Sequence, residues 1–134
     1  MNPLYFFVAE RAHHRCEYCR APESIFNVVF EVEHIIPVTA GGTSTEDNLA
    51  LACRSCNSFK GSRSQYIDPE SSAEERFYHP RRDQWEEHFL VVDSESCAIV
   101  ALSSIGRVTV VAFKMNGQSQ ITARQLWIQL GLFP

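Results

Sequence analysis

The chain has 134 residues, of which 45% are apolar and 21% charged, with a formal net charge of −4. That length suits one domain able to bury an adequate core, and the composition excludes a disordered or collagen-like chain. No apolar run approaches the roughly 20 residues that span a bilayer. Residues 1–8 lack the basic region and small-residue cleavage site of a secretory leader, so a cytoplasmic protein with nothing removed is expected.

An acidic total argues weakly against a polyanionic partner, because phosphate-neutralising domains are usually basic. The distribution says more. Residues 1–67 carry six basic and seven acidic side chains, residues 68–95 three and nine, and residues 96–134 three and none. Residues 48–67 contain Arg54, Lys60 and Arg63 and no acid, so any polyanion-facing surface is expected there.

Asn2 and Pro3 make a helix start, with Leu4, Val8 and Ala12 at four-residue spacing, and predict an amphipathic helix over residues 3–15 that ends in His13 and His14. Residues 26–36, rich in β-branched and aromatic side chains, predict a strand. Adjacent strand residues point to opposite faces, so Glu33 and His34 serve one site only if the strand ends or bends there, and Pro37 supplies a stop. Residues 39–48, with Gly41 and Gly42, read as a flexible connection, and residues 49–52 as a short returning strand.

Beyond these lies a helix starting at Asn57, then a surface turn at 71–75 leading into a helix, and a helix near 81–89 carrying Trp85 and Phe89. A β-hairpin is expected over 89–102. Ser103 or Ser104 caps a further helix with Ile105, Val108, Ala112 and Met115 at helical spacing, and a capping box at 122–125 opens a final short helix stopped by Gly131.

Cysteine spacing carries the clearest chemistry. Cys16 with Cys19 and Cys53 with Cys56 form two Cys-x-x-Cys turns separated by 33 residues. Each turn presents two sulfurs, and two such turns close a tetrahedral thiolate zinc site. A redox dithiol is the alternative for either pair alone, and the second pair argues against it. Cys97 lies in an apolar run and reads as a small buried hydrophobe.

Taken together, Cys16-x-x-Cys19, Glu33-His34-Ile35-x-Pro37, Gly41-Gly42, Asn48-Leu49, Cys53-x-x-Cys56-Asn57 and Lys60-Gly61 resemble the HNH endonuclease family, in its four-cysteine branch. The run Phe77-Tyr78-His79-Pro80-Arg81, followed by Trp85, His88 and Phe89, is also similar to a tail of small bacterial HNH proteins. The resemblance implies a single α+β domain, a ββα-metal core over about residues 10–68 with an α/β extension over about 69–134. It implies that His34 acts as general base, that Glu33 and Asn57 hold a catalytic Mg²⁺ or Mn²⁺, and that Asn48 holds the loop and orients the base. The reaction implied is hydrolysis of DNA, with RNA left open, and Lys60, Arg63 and Arg54 are candidates for phosphate contact. Individually, Glu33 with His34 also fits a simple ion pair, and Asn48 and Asn57 fit turn and capping residues. The alternative from another class is a zinc-stabilised nucleic-acid-binding module that does not cut. Oligomeric state is not legible.

Overall fold

The computed structural model describes residues 1–91 and 95–134. It is an α+β protein of five helices and three two-stranded antiparallel sheets among the described residues. None of its described helices is long and apolar enough to cross a membrane.

Helix α1 (Tyr5–Arg11) buries Tyr5, Val8 and Ala9. Asn2 starts it, its Oδ1 accepting the Leu4 N–H at 2.8 Å. The helix is shorter than the 3–15 expected, because His13 and His14 both take φ +54°, a left-handed conformation that costs roughly 1–2 kcal/mol per residue and breaks the helical ladder. A buried carboxylate organises this break. Glu23 faces the His14 ring at 2.7 Å, and accepts the Tyr5 hydroxyl at 2.8 Å and the Phe30 N–H at 2.6 Å. One side chain thereby ties α1, the turn after it and the approach to the first strand.

Strands β1 (Glu31–His34) and β2 (Leu49–Ala52) pair antiparallel, with Glu31 opposite Ala52, Glu33 opposite Ala50 and His34 opposite Leu49. The strand predicted over 26–36 is cut to four residues because β2 offers only four partners, and Val28 and Val29 lie exposed. Residues 39–48 are more ordered than a flexible connection, since short 3₁₀ turns occupy Val38–Ala40 and Glu46–Asn48. Helix α2 (Arg54–Lys60) begins three residues before the predicted start, because Cys53 caps it by accepting the Cys56 N–H on Sγ at 3.4 Å. Asn57 therefore sits inside the helix, one turn before Lys60, and α2 packs on the Glu31 and Glu33 side of β1.

The extension departs further from expectation. Residues 71–75 do not lead into a helix; β3 (Gln65–Ile67) and β4 (Glu74–Arg76) form a hairpin whose turn is closed by Asp68. Asp68 accepts the Arg107 guanidinium at 2.9 and 3.0 Å, the Glu70 N–H and the Ser71 hydroxyl. The helix expected over 81–89 is reduced to α3 (Trp85–His88), because Asp83 engages the His79 N–H at 2.8 Å and the Arg76 fork at 2.7 and 2.8 Å before it.

Strands β5 (Phe89–Val91) and β6 (Ile99–Ala101) make the expected hairpin, with residues 92–94 of that reading outside the described residues. Helix α4 (Ser104–Ala112) is capped by Ser103, as expected, and Cys97 is buried. Helix α5 (Gln118–Gln129) starts at Gln118, so the predicted capping box at Thr122 lies in its interior, while Gly131, at φ +71°, follows its end. Phe113, just after α4, packs 5.0 Å from both Tyr18 and Phe77, so one core joins the cysteine region to the extension.

Burial of Glu23 alone would raise its pKa, yet the hydrogen bonds from His14, Phe30 and Tyr5 hold it below the usual carboxylate range. A depressed folded pKa contributes stability that is present above the unfolded value of about 4.3 and is lost as pH falls through the folded value. Urea unfolding at pH 7 and near pH 3 is expected to show a smaller loss for Glu23→Gln than for the wild type. Glu23→Ala, which strands two buried donors, should cost roughly 1–3 kcal/mol at pH 7.

Candidate active site and metal centre

The two Cys-x-x-Cys turns converge. The four Sγ atoms lie within 4.8 Å of one another and all four residues are buried. Zinc–sulfur bonds of about 2.3 Å put tetrahedrally arranged sulfurs about 3.8 Å apart, and Cys19 Sγ lies 3.7 Å from Cys53 Sγ, one from each turn. Backbone N–H groups support the sulfurs within each turn, Cys19 to Cys16 at 3.5 Å and Cys56 to Cys53 at 3.4 Å. Hydrogen bonding to its neighbours pushes the Cys19 and Cys56 pKa values up and the Cys53 pKa down. Four thiols this close ionise together only around a cation, so the cluster is arranged to bind a metal, and its donor set fits zinc.

Beside the clamp, β1, β2 and α2 assemble the second group of residues. Glu33, His34, Asn57 and Gly61 line one open cleft of about 350 Å³. His34 closes β1, which lets it share that cleft with Glu33 despite strand alternation, and its Nε2 lies 2.9 Å from Ser44 Oγ. Asn48 is buried and holds the loop after β1. Its Nδ2 donates to the carbonyls of Ile36 at 2.9 Å and Thr43 at 2.8 Å, and its Oδ1 accepts the Ile36 N–H at 2.9 Å. Gly42 belongs to the same brace, since a Cβ there would sit 1.8 Å from the Ile36 carbonyl oxygen.

The two carboxylates of β1 differ in their surroundings. Glu33 is 6% exposed, with Oε1 accepting the Tyr18 hydroxyl and Oε2 lying 3.0 Å from Lys60 Nζ. Burial pushes its pKa up against the opposing pull of Lys60 and Tyr18. Glu31, two residues back on the same face, instead meets Asn57, whose Nδ2 donates to Glu31 Oε2. Its position in the Glu-x-Glu-His run, with the parity of Glu33, was the available sequence signal for Glu31.

The predicted phosphate contacts fare differently. Lys60, a candidate for phosphate contact, lies inside the protein: it is 2% exposed and also donates to the His34 carbonyl at 2.9 Å. Arg63 donates to the Phe59 carbonyl at 2.5 Å and lies over the Tyr66 ring, closing the end of α2. Arg54 is exposed at the start of α2.

A β-hairpin, a helix packed across it and a four-cysteine clamp joining the two define a metal-clamped ββα unit. This unit is an HNH domain: residues 16–63 match the family model described as HNH endonuclease, and the cysteine cluster is consistent with its zinc-binding branch. No curated protein and no solved structure matches the chain significantly.

Because Cys56 is both a clamp sulfur and part of α2, Cys56→Ser is expected to release the metal and lower the thermal midpoint. Elemental analysis with a melting curve checks this, and a metal-replete variant of unchanged stability refutes the clamp. Gly42→Ala should destabilise by at least about 1–3 kcal/mol, the scale of an overpacked site, measured by urea unfolding.

Proposed function

We propose that the protein is a metal-dependent endonuclease that hydrolyses DNA phosphodiester bonds, with structural zinc at the clamp and an exchangeable Mg²⁺ or Mn²⁺ at the hairpin–helix face. The observation that carries this reading is the meeting of His34, Glu33 and Asn57 at one cleft, with Glu31 against Asn57. His34 takes a proton from the attacking water, with Ser44 fixing the orientation of its ring. Asn48 keeps the end of β1 in place through its three hydrogen bonds to the loop.

Asn57 and the β1 carboxylates supply only oxygen donors, a set suited to a hard cation. When bound, that cation stabilises charge on the phosphoryl and leaving 3′ oxygens. Glu31 stands nearest Asn57, and turning the Asn57 carboxamide over sets an oxygen beside its carboxylate. Glu33 has one oxygen on Tyr18 and the other on Lys60, so it joins them through its remaining lone pairs or by giving up one of those partners. In its present arrangement Glu33 is the counter-charge that keeps Lys60 against the His34 carbonyl.

The commitment of both Glu33 oxygens inside the protein favours a second reading, a zinc-stabilised module that binds nucleic acid without cutting it. Supercoiled plasmid separates the two. Zinc-loaded protein is expected to nick it in a Mg²⁺ or Mn²⁺ series, and intact DNA and RNA across that series leave only the binding module.

His34→Ala is expected to slow nicking roughly 10²–10⁴-fold with melting and DNA affinity nearly unchanged; equal activity removes His34 as base. Glu31→Gln should raise the Mg²⁺ concentration for half-maximal nicking by about tenfold or more. Glu33→Gln should chiefly destabilise, by roughly 3–5 kcal/mol, because Lys60 is left buried without its partner. A Mg²⁺ requirement that moves with Glu33→Gln and not with Glu31→Gln returns the ligand role to Glu33.

A further inference from the structure

A second polar cleft, of about 290 Å³, opens where the end of α1, the first cysteine turn and the segment before α3 meet, and Arg11, Arg15, Arg20 and Arg81 all line it. Charge alone did not point to this cluster, because residues 1–67 are nearly neutral in sum and residues 68–95, which hold Arg81, are acidic. The fold brings Arg81 to three cations carried by residues 11–20.

The guanidinium groups are anchored on some edges and open on others. Arg11 donates to the carbonyls of Glu46 at 2.9 Å and Leu49 at 2.7 Å, either side of Asn48. Arg15 donates to the carbonyls of Leu132 at 2.7 Å and Arg20 at 3.3 Å. Arg20 lies 4.9 Å over the Trp85 ring, with a long 3.4 Å contact to Glu86, and Arg81 pairs with Glu17. Arg11 Nε, Arg20 Nε and Arg81 Nη1 are buried with no protein partner; among the described residues only Arg124 Nε shares that state. Unpaired buried donors are costly and uncommon in folded proteins, and three guanidinium groups of this cleft lack a full set of acceptors within the protein.

The carboxylates facing this cleft do not complete that set. Glu17 is divided between Arg81 and the Leu51 N–H. Asp83 is held by the Arg76 fork and the His79 N–H, and the Glu86 side chain is 75% exposed. Burial, then repulsion from Arg11, lowers the Arg81 pKa, and burial, then Arg20, lowers that of Arg15. Crowded, half-buried forks with spare N–H groups match the oxygens of a tetrahedral anion.

We propose that the arginine cleft binds a backbone phosphate of the nucleic acid outside the catalytic cleft. This rests on the nucleic-acid reading of the HNH domain but not on cleavage. Arg11 also ties the cleft to the site, since the carbonyls it grips flank the residue that braces the end of β1.

The test is fluorescence anisotropy of a labelled duplex against zinc-loaded protein, in a His34→Ala background without added Mg²⁺, over a salt series. Because binding alone is read, failure of the nuclease reading does not disturb it. Arg20→Gln is expected to weaken binding about tenfold and to lower the slope of log affinity against log salt by about one. Arg81→Lys, which keeps the charge and loses the fork, should weaken binding with less change in slope. Arg82→Gln removes an equal charge at an exposed position outside the cleft and should stay within about twofold. Zinc content and melting curves confirm that each variant is folded.

Equal affinity and slope in Arg20→Gln and Arg81→Lys overturn the proposal. It is likewise overturned if inorganic phosphate raises the melting temperature of the wild type and not of Arg20→Gln while duplex affinity is untouched, since the cleft then takes a free phosphate.

Discussion

Four sulfurs drawn to within 4.8 Å of one another determine where nearly everything else in the HNH domain lies. Hairpin and helix are too short to be stable by themselves, with four residues in each strand and seven in α2. The clamp joins them to the segment after α1, and it sets the first turn of α2 through the Cys53 cap. The phase of α2 follows from that start: Cys56 points to the clamp, while Asn57 and Lys60 fall on the face that meets β1. The metal-binding and catalytic candidates are therefore geometrically one device.

On that shared face the polar side chains are paired in register. Glu31 meets Asn57 and Glu33 meets Lys60, two residues along the strand against three along the helix. The second pair is buried, with side chains 6% and 2% exposed, and a pair so placed adds little net stability because desolvation offsets the attraction. Its value is positional. Lys60 reaches past Glu33 to the His34 carbonyl and so fixes the strand end at the point where alternation would otherwise carry Glu33 and His34 apart.

What was legible in the sequence follows the range of the interactions. The cysteine turns, the β2 strand, the Ser103 cap and the stop at Gly131 are local chemistry, and each is where the residues indicate. Some of the misplaced elements depend on partners distant in sequence and others on local caps that are uncommon. Propensity extends β1 to eleven residues, but a ladder is no longer than the β2 strand it pairs with. The start of α2 was masked because a cysteine is an uncommon cap, and the β3–β4 turn because Asp68 is fixed by Arg107, 39 positions away. Within the candidate site, the residues singled out in the sequence lie close together, His34 and Asn57 at one cleft and Asn48 against the loop that follows β1. Which carboxylate of β1 meets Asn57 and which meets Lys60 could not be read, since it depends on which helix residue faces each.

The extension is bound to the domain by the same demand to balance buried charge and polarity. Arg124 on α5 is 1% exposed, and its two Nη atoms donate to the carbonyls of Cys97 and Met115. Burial lowers its pKa, and the cysteines Cys19, Cys97 and Cys56 oppose that shift. A tetrathiolate around a divalent ion carries two negative charges in sum, which are themselves costly to bury. Arg124 shares a cavity with Cys19, Cys53 and Cys56, so each buried charge lessens the cost of the other. Helix α5 is for that reason more than a cover over the core: it carries a buried guanidinium to the cavity that three of the clamp cysteines line.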